Sequence, residues 1–76
     1  MRGEDVRALQ AGALRVFPSY AREALGKAGA DGVFGPGTAR FVREFQRRHF
    51  GAGSRQVDGI AGPLTRAALA HYGITY

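Results

Sequence analysis

The residues able to carry acid–base or metal chemistry are few: two histidines, His49 and His71, and six carboxylates, Glu4, Asp5, Glu23, Asp31, Glu44 and Asp58. None of them falls into a spacing that builds a site. No His-x-x-x-His, Glu-x-x-His or neighbouring Asp–His pair occurs, so metal ligation and general acid–base catalysis lack local partners. With no cysteine, thiolate-bound zinc and disulfides are excluded. A carboxylate pair for glycoside hydrolysis would have to be assembled from Asp31 and Asp58, and each is already used by an Asp-Gly turn. Those turns lack the alternating acids of a calcium loop, and no glycine pattern for nucleotide phosphates is present. The chain is therefore read as having no catalytic residue, no metal and no cofactor.

What remains is charge. The net charge is +5, and Lys27 is the single lysine among the basic residues. An arginine excess attracts an anionic partner such as nucleic acid, a lipid surface or an anionic cell-wall polymer, without choosing between them. The elements that must position these groups are organised around a stretch that occurs twice. Asp31-Gly32-Val33-Phe34-Gly35-Pro36-Gly37-Thr38 is followed 27 residues on by Asp58-Gly59-Ile60-Ala61-Gly62-Pro63-Leu64-Thr65. Asp, Gly, Gly, Pro and Thr coincide, and the match continues weakly with Val42 opposite Leu69 and Phe45 opposite Tyr72. Asp-Gly forms a turn because glycine accepts positive φ and the carboxylate accepts nearby amide hydrogens. Val33 and Ile60 are expected to pin each turn to the core. Gly-Pro then opens a helix, since proline suits the first helical position. Thr38 and Thr65 fall in the first turn, where a hydroxyl can satisfy free backbone groups.

In chain order, a first helix begins near Glu4 or Asp5, with Val6, Leu9, Ala13 and Phe17 at helical spacing. Gln10 lies inside that apolar stripe and needs partners, so it is expected to tie to loop backbone. Pro18 ends this helix, and residues 19–25 form a short second helix capped by Ser19 and closed by Gly26. The longest and most amphipathic helix runs from about Pro36 to His49. Thr38, Phe41, Val42, Phe45 and His49 share one face, and Arg40, Arg43 and Arg47 the other. A glycine-rich loop from Phe50 to Gln56 leads to the second turn. The last helix, from about Pro63 to His71, is expected to bury Leu64, Ala68, Leu69 and Tyr72, with Gly73 ending it and Ile74 folding back onto the core. The reading is all-α: one domain over residues 1–76, core about 3–73, a small three-helix orthogonal bundle with a short extra helix and two repeated Asp-Gly turn-to-helix units. No apolar run is long enough to span a bilayer, and charges break residues 1–20, so no secretory signal is visible.

With these motifs laid out, the chain resembles a peptidoglycan-binding domain of the three-helix type found in cell-wall hydrolases and phage lysins. Asp5-Val6 and Leu9-Gln10 carry the resemblance first, then Asp31-Gly32-Val33-Phe34-Gly35 with Thr38. Phe41-Val42, Phe45-Gln46, Asp58-Gly59-Ile60, and Gly62 with Thr65 and Leu69 complete it. The ordered set covers about residues 3–73. Two segments depart by being long: Leu14 to Asp31, which holds the Pro18–Leu25 element, and Phe50 to Val57. Both lie beside the turns, where they can reshape or cover a groove.

The resemblance implies a non-catalytic module, extracellular, periplasmic or cell-wall associated, that keeps a covalently linked or partner hydrolase on peptidoglycan, through glycan strand, stem peptide or both. Glycan needs flat aromatics and hydrogen-bonding groups, while stem-peptide carboxylates suit arginine. The expected site is a shallow groove between the first turn and the central helix. Phe34, Arg40, Tyr20 and Tyr72 are its candidate contacts, with Asp31, Gly32, Gly35 and Thr38 shaping its walls. A basic helical nucleic-acid module is the main alternative, with Arg40, Arg43 and Arg47 on phosphates, but it leaves the Asp-Gly repeat unexplained. A protease prodomain lacks its inhibitory cysteine segment, and a plain protein-interaction domain would show no affinity for wall.

Overall fold

The computed structural model describes residues 3–76. Four helices follow in order: α1 (Glu4–Val16), α2 (Pro18–Leu25), α3 (Pro36–Phe50) and α4 (Pro63–Ala70), with a short 3-10 turn, Gly26–Ala28, after α2. No strand is present among the described residues. Glu4 and Asp5 fall in the first turn of α1, where carboxylates suit the positive end of the helix dipole.

Proline sets three of the helix starts. Pro18, Pro36 and Pro63 each open a helix, where a missing N–H leaves nothing unsatisfied. Ser19 is therefore not the cap of α2: Phe17 holds that position, and its carbonyl accepts the Ala21 N–H at 3.0 Å. Arg47, Arg48 and His49 lie in the last turn of α3, which suits the negative end of its dipole.

The core draws on every helix. Leu9 and Ala13 of α1, Ala21 of α2, Phe41, Val42 and Phe45 of α3, and Ala68 and Leu69 of α4 form one buried cluster with Ile74. Ile74 does fold back, and its N–H bonds the Leu69 carbonyl at 3.1 Å. Its seat explains Gly12, a poor helix residue on propensity alone. A β-carbon built on Gly12 would lie 2.8 Å from Ile74 Cγ2, so only glycine leaves room for that methyl.

Four expected core residues are not buried. Val33 is 47% exposed, Ile60 65%, Leu64 59% and Tyr72 43%. For Val33 and Ile60 the reason is that the backbone anchors the turn, so the side chain is free to face outward. Leu64 lies in the first turn of α4 at the edge of the stripe formed by buried Thr65, Ala68 and Leu69. Tyr72 keeps its ring edge-on to Phe17 and Phe45, with centroids 5.2 and 5.7 Å away, while its hydroxyl lies 3.3 Å from His49 Nδ1.

Candidate ligand-binding site

Two buried glutamines hold the two Asp-Gly turns. In the first, Gln10 Nε2 donates to Asp31 Oδ1 (3.1 Å), the Val33 carbonyl (3.0 Å) and Thr38 Oγ1 (2.9 Å). Its Oε1 accepts the Gly32 N–H at 2.8 Å, and Asp31 Oδ1 also accepts the Val33 N–H at 3.0 Å. In the second, Gln46 Nε2 donates to Asp58 Oδ1 (2.9 Å), the Ile60 carbonyl (3.0 Å) and Thr65 Oγ1 (2.9 Å). Its Oε1 accepts the Gly59 N–H at 2.9 Å, and Asp58 Oδ1 accepts the Ile60 N–H at 2.9 Å. Each amide is 0–1% exposed and has every polar atom engaged, which is what makes burying it tolerable. Gln10 thus finds side chains as well as the expected backbone. The threonine hydroxyls meet the glutamines, and neither helix has a side-chain cap.

The glycines of these turns are required by their backbone angles. Gly32 has φ 78° and Gly59 φ 75°, the region that penalises a β-carbon. Each also lies beneath an arginine. A β-carbon on Gly32 would stand 3.6 Å from Arg7 Nε, and one on Gly59 3.2 Å from Arg43 Nη2. Both arginines precede their glutamine by three residues. The sequence holds this signal as Val6-Arg7-x-Leu9-Gln10 and Val42-Arg43-x-Phe45-Gln46. Aligning the turns alone sets Val42 opposite Leu69 and so hides it.

Hydrogen bonding holds both aspartates below the usual carboxylate range. For Asp31 the largest cause is the Val33 amide, then Gln10, with Arg7 adding a Coulombic contribution; for Asp58 it is the Ile60 amide, then Gln46. These carboxylates are occupied in holding turns, and no group of three metal-ligating side chains exists among the described residues.

A cleft lies elsewhere, where α2 meets α3. Tyr20 and Glu23 of α2 face Arg40, Arg43, Arg47 and Arg48 of α3 across a cleft of about 410 Å³, with Val57 of the long loop at its margin. Both of the long segments noted in the sequence thus contribute to its walls. Glu44 lies in the cleft, pairing with Arg47 and accepting from Arg48 Nε at 2.9 Å, which holds its carboxyl below the ordinary range. Tyr20 is a fixed wall: its ring stacks on Phe41 at 5.5 Å and lies under the Arg48 guanidinium at 4.6 Å. Burial pushes its hydroxyl up to about 12.

The eight candidate residues do not line one groove. Tyr20 and Arg40 share the α2–α3 cleft. Tyr20 also lines a second depression of about 120 Å³ with Tyr72, Phe17 and His49. Asp31, Gly35 and Thr38 border a third, of about 250 Å³, at the first turn beside Gln10. Gly32 is buried with its N–H given to Gln10, and Phe34 packs against the core. Sequence reasoning set Arg43 and Arg47 beside Arg40 only in the nucleic-acid alternative and gave Arg48 and Glu23 no site role, since the meeting of these residues depends on how α2 docks on α3.

No curated protein and no solved structure matches the chain. The family model described as a peptidoglycan binding domain matches residues 2–69. That span takes in both glutamines, both Asp-Gly turns and the α2–α3 cleft, and the chain belongs to the peptidoglycan binding domain family.

Proposed function

We propose that this chain is a non-catalytic docking module that holds an attached or partner cell-wall hydrolase on peptidoglycan. In this reading α1, α3 and α4 make a small three-helix orthogonal bundle, α2 is the extra helix, and the two Asp-Gly turn-to-helix units are repeats. The carrying observation is that the family's turn residues are spent internally, on Gln10 and Gln46. The exposed arginines and Tyr20 are left to face a ligand. A fixed aromatic wall beside guanidinium groups suits a polymer that offers sugar rings and peptide carboxylates. Docking raises the local concentration of wall around a linked enzyme, so even a modest affinity serves the purpose. The module works where that polymer is, outside the cytoplasmic membrane. Among the described residues no helix is long and apolar enough to cross a membrane.

Wall contacts in this reading are Tyr20 and Arg40 in the cleft, with Tyr72 and Phe34 beyond it, and Asp31, Gly32, Gly35 and Thr38 shaping the neighbouring turn. Co-sedimentation with purified insoluble sacculi tests it. Wild type is expected in the pellet. Arg40→Ala should lower retention several-fold through loss of charge-assisted hydrogen bonds, and Phe34→Ala should lower it less. Unchanged retention by both variants would remove this face as the binding surface, and wild type left in the supernatant would remove the function.

A further inference from the structure

The α2–α3 cleft carries charges of both signs that the fold does not use. Glu44 is committed to Arg47 and Arg48. Among the described residues, Arg40, Arg43 and Glu23 have no ion-pair partner, although all three line the same cleft. Arg43 is also held in place, because its guanidinium rests on Gly59 of the turn that Gln46 ties. On the α2 side the Tyr20 ring lines the same cleft. The space, about 410 Å³, is on the scale of a small ligand.

We propose that this cleft receives a zwitterionic segment of an un-cross-linked wall stem peptide, with Arg40 and Arg43 taking its free carboxylate and Glu23 its free ammonium. The inference rests on the docking function above and names which part of the wall is read. A guanidinium pair fits a planar carboxylate. Glu23 is left unmatched by a chain of phosphates, whereas a ligand that brings one charge of each sign uses it as well as the arginines. Cross-linking acylates the stem-peptide amine and removes the group that Glu23 binds, so the module favours un-cross-linked wall.

Titration calorimetry of the whole chain tests this with four soluble probes. These are an N-acetylmuramyl stem peptide ending in a free diamino acid, its carboxamide, its amine-acetylated form, and inorganic polyphosphate. Each blocked peptide should bind about tenfold weaker than the free one, the scale of one charged hydrogen bond. Arg43→Gln should erase the preference for carboxylate over carboxamide and keep the preference for the free amine. Glu23→Gln should do the reverse. Equal binding of the three peptides, or polyphosphate displacing the peptide through Arg40 and Arg43, overturns the inference. If sacculi are retained while no peptide binds, the inference fails and the docking function stands; if sacculi are not retained, both fail.

Discussion

The two tied turns share one hydrogen-bond scheme, to which the second adds the Asp58 N–H on Gln46 Oε1 at 3.1 Å, and yet sit in different surroundings. Gln10 reaches Asp31 across 21 residues and Gln46 reaches Asp58 across 12. The longer interval contains α2. At the position before each threonine the consequence is visible. Gly37 packs so closely on α2 that a β-carbon there would lie 2.7 Å from the Ala24 carbonyl oxygen, whereas the equivalent Leu64 is 59% exposed. The first tie holds a turn that must accept a neighbouring helix, and the second holds a turn open to solvent. The tie itself is indifferent to what surrounds it. The helix inserted beside the first turn makes the cleft, while the second turn supplies the platform for Arg43.

The largest expected effect tests whether the ties are equal. Gln10→Leu and Gln46→Leu each strand a buried glycine N–H and remove the amide's bonds to the turn carbonyl, the aspartate and the threonine hydroxyl. Each should cost on the order of 3 kcal/mol, or roughly 10–20 °C in Tm for a domain this small. If thermal melts show one substitution costing under about a third of the other, the equivalence is broken. Next come the positions where the turns differ. Gly37→Ala should cost about 1–3 kcal/mol by overpacking against the Ala24 backbone. Leu64→Ala should stay within about 0.5 kcal/mol. Urea unfolding of the two variants sharpens or erases the contrast.

Smaller effects refine it. Thr38→Val and Thr65→Val each remove one acceptor from a buried amide and should cost about 1 kcal/mol, with Thr38 close to Thr65 because its extra bond to the Val33 carbonyl is long, at 3.4 Å. Acid gives the last test. Asp31 and Asp58 are held below the ordinary range when folded, so their stabilisation is present above the unfolded pKa and lost as pH falls through the folded one. Unfolding followed by circular dichroism should show both turns weakening below about pH 4. Arg7 acts on Asp31 alone, so Asp31→Asn should reduce the salt dependence of that acid limb and Asp58→Asn should not.

Much of this architecture could be read from residue order. The helix starts at Pro36 and Pro63, the Asp-Gly turns and the return of Ile74 follow from local chemistry. The failures have separate physical causes. Val33 and Ile60 look like anchors because they are apolar, but each turn is held by main-chain groups. The Val33 N–H goes to Asp31 and its carbonyl to Gln10, and the Ile60 pair goes to Asp58 and Gln46. The side chain is then surplus to the turn. Ser19 has the right type for a cap, yet Pro18 beside it takes the first helical position. The cleft was least legible, because bringing Glu23 of α2 to Arg40 and Arg43 of α3 depends on tertiary docking that periodicity does not encode.

Incubating the whole chain with purified sacculi, while measuring both the bound fraction and the soluble wall fragments released, tests the central claim most directly. A passive docking module saturates the pellet and releases no fragments. A chain that stays in solution, or one that solubilises the wall, contradicts it.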